Sequence, residues 1–313
     1  MPGLLAVFRK EMADQFASKR FLIMFTLILL AGLSATYTAA QAIRVAVSSA
    51  DADTSFVFLK LFTVSSGSLP SFVSFVGFLG PLVGLSMGFD AINGEYARGT
   101  LSRVLSQPIF RDSVINGKFL AGVTTIAVML TAIALLLGGL GLRMIGIPPT
   151  GDEIIRLFLF LVIAVVYVAF WMALSILFSI LFRQPATSAL AGIAFWIFFT
   201  FFMSMIAATI AGAVIQVDEQ EPETILASAY LQQGIARLSP STLYSETTST
   251  VLDPGVRTLG LVMVSEVIGM VPGALPLGQS LMVVWPQLVG LIAMTLICFA
   301  ISYARFIRQE IRA

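Results

Sequence analysis

The sequence predicts an all-α polytopic membrane protein with six transmembrane helices, an N-terminal amphipathic interfacial helix and a large extracytoplasmic loop before the last helix. Three observations predict this class. Of the 313 residues 58% are hydrophobic and the mean hydropathy is +0.96, which is more apolar side chain than a soluble domain buries in its own core. Six runs free of Asp, Glu, Lys and Arg cover about 21–40, 71–89, 119–142, 157–181, 187–215 and 287–304, and a bilayer core about 30 Å thick needs roughly 20 apolar residues in a helix. The charged residues, only 11% of the chain, fall between those runs.

Before the first run, "LLAVFRKEMADQFASKR" places Leu5, Phe8, Met12 and Phe16 on one stripe at helical spacing, with Arg9, Lys10, Asp14 and Lys19 elsewhere on the wheel. This predicts a helix over residues 1–20 lying in the membrane interface. "TYTAAQA" after the first run resembles a signal-peptidase site, but the run is too long for a signal h-region and Glu11 and Asp14 precede it, so a retained span is the better reading. The following loop holds "FVFLKLF", too short to cross and placed at the interface or against the spans. The second run carries Gly77, Gly80, Pro81, Gly84 and Gly88, a density that predicts close packing against a neighbouring helix.

Six spans put both termini on one side. That side collects Arg9, Lys10, Lys19, Arg20, Arg98, Arg103, Arg111, Lys118, Arg183, Arg305, Arg308 and Arg312, against Arg44, Lys60, Arg143, Arg156, Arg237 and Arg257 opposite. The positive-inside rule makes the termini side cytoplasmic, in the plasma (inner) membrane of a prokaryotic cell. The organisation is then a cytoplasmic helix over 1–20, five spans over 21–215 with a charged cytoplasmic segment at 90–118, an extracytoplasmic loop over 216–286, and the last span with a cytoplasmic tail over 287–313. In that loop, "VDEQEPE" reads as a solvated acidic turn and Pro222 as the start of a helix ending near Ser239 and Pro240. "TLGLVMVSEVIGMV" is interrupted by Glu266. A mid-membrane carboxylate costs about 2.5–3.5 kcal/mol, so this stretch reads as an extracytoplasmic helix and not as a seventh span.

Much chemistry is excluded. The chain has no histidine and one cysteine, Cys298, which removes His-based metal and nucleophile sites and any intrachain disulfide. "DSVINGKF" has Asp112 where a P-loop needs its first Gly and Phe119 where it needs Ser or Thr. The chain therefore reads as no enzyme, with no cofactor of its own. A formal net charge of +1 without a dense basic run gives no nucleic-acid footprint. The spans hold no ionisable groups beyond Cys298 and phenols such as Tyr37, Tyr167 and Tyr303, which disfavours ion-coupled transport.

The segment "GFDAINGEYARGTLSRVLSQPIFRDSVINGKF" gathers Asp90, Glu95, Arg98, Arg103, Arg111, Asp112 and Lys118, far more than a loop joining two spans requires. An acidic residue followed by "RGTL", a Ser-x-Pro turn with a following Arg, and "GK" opening the next span resemble the membrane subunits of type-2 ABC exporters, the ABC-2 permease family. Glu95, Arg98 to Leu101, Leu105 to Pro108, Arg111, Gly117 and Lys118 carry the resemblance, which is strongest to the branch serving nitrous-oxide-reductase maturation. The resemblance implies that the segment is a coupling helix for a separate cytoplasmic P-loop ATPase, which binds ATP and Mg. It also implies a pair of permease copies within membrane lipid, working in export or mechanical transmission. Asn93, Gly94, Glu95, Arg98, Gly99 and Thr100 are the candidates for the ATPase contact. An ATP-independent membrane scaffold binding a partner through the outer loop is the alternative function.

Overall fold

In the computed structural model, which describes residues 2–47, 56–65, 69–99, 110–216, 221–259 and 274–308, the regular elements are helices. In chain order they are α1 (Pro2–Phe16), α2 (Lys19–Val47), α3 (Val57–Thr63), α4 (Phe72–Gly88), α5 (Asn93–Ala97), α6 (Arg111–Ile145) and α7 (Gly151–Leu181). They continue as α8 (Pro185–Ile197), a π-helical segment (Phe198–Phe202), α9 (Met203–Val214), α10 (Pro222–Ala236), α11 (Pro240–Leu252) and α12 (Leu277–Arg308). Among the described residues six helical stretches are long and apolar enough to cross a membrane: Lys19–Ala46, Phe72–Ala97, Arg111–Ile145, Gly151–Leu181, Pro185–Val214 and Leu277–Arg308. They correspond one for one to the six uncharged runs. "TYTAAQA" lies inside the continuous α2.

The helices outrun the predicted spans at their charged ends. Helix α6 starts at Arg111 and not near 119, with Asp112 in its first turn, where a carboxylate favours the positive end of the helix dipole. Helix α7 starts at Gly151 because Thr150 and Glu153 form a reciprocal capping box.

Helix α7 is the central strut, buried along most of its length from Phe160 to Ile180. Helix α4 runs parallel to it along a seam of glycines. A methyl built on Gly84 would lie 2.5 Å from the Val168 carbonyl oxygen and 2.8 Å from the Met172 nitrogen, and one on Gly88 would lie 2.7 Å from the Met172 carbonyl oxygen. Small residues that let backbones touch are a main means of helix association in lipid, where apolar side chains gain little from each other over lipid tails. Hydroxyl bonds flank the seam: Tyr167 donates to the Gly77 carbonyl at 2.8 Å and Ser175 to the Leu85 carbonyl at 2.9 Å. Helix α12 follows the same direction on another side of α7, with Thr295 and Ser302 donating to the Val166 and Ala173 carbonyls.

The first turn of α7 organises the end of the bundle away from α1. Glu153 accepts the Phe58 and Leu59 amides of α3 at 2.9 and 3.4 Å. Arg156, fully buried, donates to Asp152 and Ser280 and to the main-chain carbonyls of Val251 and Leu275. The predicted "FVFLKLF" element is therefore docked on the spans, with Val57, Phe58, Leu59, Leu61 and Phe62 buried. In the long loop Pro222 begins α10, and Pro240 begins α11 where the sequence suggested only a stop. Glu246 of α11 accepts bonds from Gln233, Arg237 and Gln287, tying α10 and α12 together. Part of the acidic run, 217–220, and the stretch 260–273 with Glu266 lie outside the described residues.

Because the atoms facing Gly84 are mostly main chain, a larger side chain has no rotamer to displace. Overpacking of this kind costs about 1–3 kcal/mol or more. Gly84→Leu is expected to lower the apparent melting temperature of the detergent-purified protein by several degrees. Gly139→Leu, at a position with no heavy atom within 4 Å of an added methyl, should leave it unchanged. Size-exclusion recovery after heating compares the two.

Candidate functional site

Helix α4 ends at Gly88 against Met172, Ser175 and Ile176 of α7, so the chain beyond it emerges beside the last turns of that strut. Five residues make too short a helix to persist alone, and α7 supplies what α5 lacks. Ser179 accepts the Ile92 and Asn93 amides at 2.9 and 3.1 Å and donates to Asn93 Oδ1 at 3.1 Å, while Asn93 Nδ2 donates to the Phe182 carbonyl at 3.1 Å. Asn93 thereby fixes α5 to the end of α7.

A cluster of charges fixes the other side. Lys118 Nζ donates to Glu95 at 2.7 Å and to Glu11 at 2.9 Å, and all three side chains are largely buried. One ammonium thus joins α1, α5 and α6. Beside it Arg20 bonds Asp90 at 2.8 Å and lies 4.7 Å over the Phe89 ring, holding the turn between α4 and α5 to the start of α2. A cavity of about 350 Å³ opens between α1 and this turn, lined by Glu11, Arg20, Asp90, Glu95, Arg98 and Lys118 with Met87, Met129 and Met172 among its apolar walls.

Burial pushes the Glu11 carboxyl upward, but the Lys118 and Lys10 ammoniums outweigh it and hold it below its ordinary value. Burial likewise lowers the Lys10 ammonium, yet Glu11 and Asp14 leave it raised.

Of the six candidate residues, the structure turns Asn93, Gly94 and Glu95 inward and leaves Arg98 and Gly99 exposed, with Tyr96 and Ala97 beside them. Gly94 is needed for closeness, since a methyl there would meet Asp90 Cβ at 3.1 Å, and Gly99 has the left-handed φ of +66° that ends α5. Thr100 lies outside the described residues, as do 101–109.

Helix α1 also has a face that packs on protein. The face on α6 is Leu4, Val7, Glu11 and Gln15, with Val7 seated on Gly117, while Leu5 and Phe16 are exposed. The Lys118 ion pair and the Gly117 notch select that face over the apolar one. Sequence reading missed Glu11, Arg20 and Ser179 as part of this site. Lys118 carried a signal in its "GK" context, whereas Ser179 carried none.

An uncharged bundle of six spans, with a charged hairpin turn held to its central helix and braced by an N-terminal helix, is the architecture of a multi-pass membrane permease subunit. A family model described as "ABC-2 family transporter protein" matches residues 5–311, and the chain belongs to that family. It is a transmembrane ABC transporter subunit, and membership implies an ABC ATPase partner. The chain is similar to the probable ABC transporter permease protein NosY of Pseudomonas aeruginosa, 28% identical over 252 residues that cover 78% of this chain and 80% of the relative. It is also similar to the protein of the same description from Stutzerimonas stutzeri, 36% identical over 92 residues, covering 27% of this chain and 33% of the relative.

Two predictions follow from the charge cluster. Removing one member of a buried pair costs about 3–5 kcal/mol, so Lys118→Met, which leaves Glu11 and Glu95 facing each other, should markedly lower thermal stability in detergent. Combining it with Glu11→Gln and Glu95→Gln should restore much of the loss. Because the folded Glu11 value lies below the ordinary 4.5, its contribution is fully present above that pH and is lost as pH falls through the lowered value. Protease cleavage between α1 and α2 should therefore accelerate below about pH 4.5, and Glu11→Gln should be cleaved at the accelerated rate already at pH 7.

Proposed function

We propose that this chain is the membrane-spanning half of an ABC transporter, and that a separate cytoplasmic ATPase docks on the exposed edge of α5, at Tyr96, Ala97, Arg98 and Gly99 with the adjoining Thr100. ATP and Mg belong to that partner. The excess of cations at the α1 end supports placing both termini and this edge in the cytoplasm. The observation that carries the reading is the division of labour within α5. Asn93 and Glu95 are committed to α7 and Lys118, while Tyr96, Ala97, Arg98 and Gly99 are exposed, Arg98 at the rim of the charged cavity. Closure of the ATPases would push on α5 and on α7 behind it, in service of export or of force transmission across the membrane. Two copies of the chain, each with its ATPase, complete the transporter.

The contact and the brace separate experimentally. Arg98→Glu is expected to reduce recovery of the ATPase with the tagged permease by about tenfold, the scale of one lost charged contact at an interface, with the permease's melting temperature unchanged. Asn93→Leu should lower both. Equal recovery of the ATPase from Arg98→Glu and wild type would remove this edge as the docking site. Failure of any P-loop ATPase to co-purify with the wild type would remove the coupling itself.

A further inference from the structure

The first two turns of α4, the length of α11 and the π-helical segment enclose a second cavity, of about 470 Å³, at the end of the bundle away from α1. This is ample for an organic group and far beyond a single water or ion. Hydroxyl-bearing residues dominate the wall, and no Lys or Arg is among its described lining residues.

The direction of the existing hydrogen bonds decides what the wall offers. Thr63, Tyr244, Ser245, Thr248 and Ser249 each donate their proton to a main-chain carbonyl, of Leu59, Val73, Thr242, Tyr244 and Glu246 respectively. A hydroxyl with its proton so committed has only lone pairs left to present. Asp253, an exposed carboxylate, adds acceptors of full charge. Ser249 sits in the last turn of α11, the negative end of that helix dipole.

One lining group lacks a partner among the described residues. Thr200 Oγ1 is buried and unbonded, and it stands in the middle of the π-helical segment, where the ordinary helical geometry that lets Thr hydroxyls reach the preceding turn is interrupted. The next carbonyl of that segment toward α8, Phe199, is taken by the Ser239 hydroxyl at 2.9 Å.

A wall on which five committed hydroxyls offer acceptors beside one carboxylate, with no Lys or Arg among its described residues, calls for a ligand that brings donors and positive charge. We propose that this cavity binds a primary-ammonium group, carried either by a lipid headgroup or by a free amine. The ammonium donates its three N–H bonds to the hydroxyl oxygens, with Asp253 as its counter-charge. A quaternary ammonium has no N–H to give and binds more weakly. An anionic headgroup meets Asp253 and is repelled.

The test uses the full-length protein released from detergent into native mass spectrometry with equimolar phosphatidylethanolamine, phosphatidylcholine and phosphatidylglycerol. Retention of phosphatidylethanolamine should exceed that of the other two by about tenfold, the scale of one charge-assisted hydrogen bond. Ser245→Lys, which places a cation in the cavity, should abolish the preference. If that variant does not assemble, Asp253→Lys at an exposed position carries the same test. A lipid preference that free ethanolamine does not displace assigns the lipid source. An ethanolamine-dependent rise in melting temperature without lipid preference assigns the free amine. Equal retention of all three lipids with no ethanolamine effect, or a preference unchanged in the lysine variants, overturns the proposal.

Discussion

The contact of α4 with α7 is backbone against backbone, and most of the molecule is placed by it. At Gly84 and Gly88 the two helices approach until main-chain atoms of one meet the missing side chains of the other, and Gly80 makes room for the Val168 side chain. That approach brings the Gly77 carbonyl within reach of Tyr167 and the Leu85 carbonyl within reach of Ser175. It also delivers the chain leaving α4 to Ser179, so α5 inherits its position from a seam two turns away. In hydrocarbon an unsatisfied carbonyl costs several kcal/mol, which makes these hydroxyl bonds more than decoration of the contact.

The two ends of the strut use charge differently. At the α5 end an ammonium joins carboxylates on two other helices, and the salt bridges are mutual. At the opposite end Arg156 spends most of its donors on main-chain carbonyls and one hydroxyl, with a single carboxylate for charge. The planar guanidinium suits that task, since it presents several donors in fixed directions and never loses its proton. A lysine there would bring three donors to the four acceptors that Arg156 bonds.

The six spans were legible because each is a long run without charge, and nothing in tertiary structure can hide such a run. The glycine density of α4 correctly announced close packing. Other features resisted reading because their partners are remote in sequence. Lys118 finds Glu11 at a separation of 107 residues, and Arg156 finds Val251 and Leu275 across the long loop. In the sequence Arg156 speaks only for topology, and Lys118 for topology and for the "GK" motif. The face of α1 that presents Val7 and Glu11 to α6 went unread because it carries no apolar period of its own. Helix α11 escaped because "STLYSETTSTVL" has hydroxyls where an apolar period would be. Those hydroxyls satisfy themselves on preceding carbonyls, leaving the sequence without the usual amphipathic signature.

The burial of α7 has a mechanical corollary. A helix rises about 1.5 Å per residue, so Glu153 and Ser179 are held roughly 39 Å apart by an element with little solvent into which to fray. Its compliance is low, and strain entering at one end has few places to dissipate along the way. The spans with least surrounding protein are α2, the stretch from α8 through α9, and α12, which are 22%, 17% and 22% buried against 61% for α7. The molecule is graded from a densely packed axis to a periphery that meets less of its own protein.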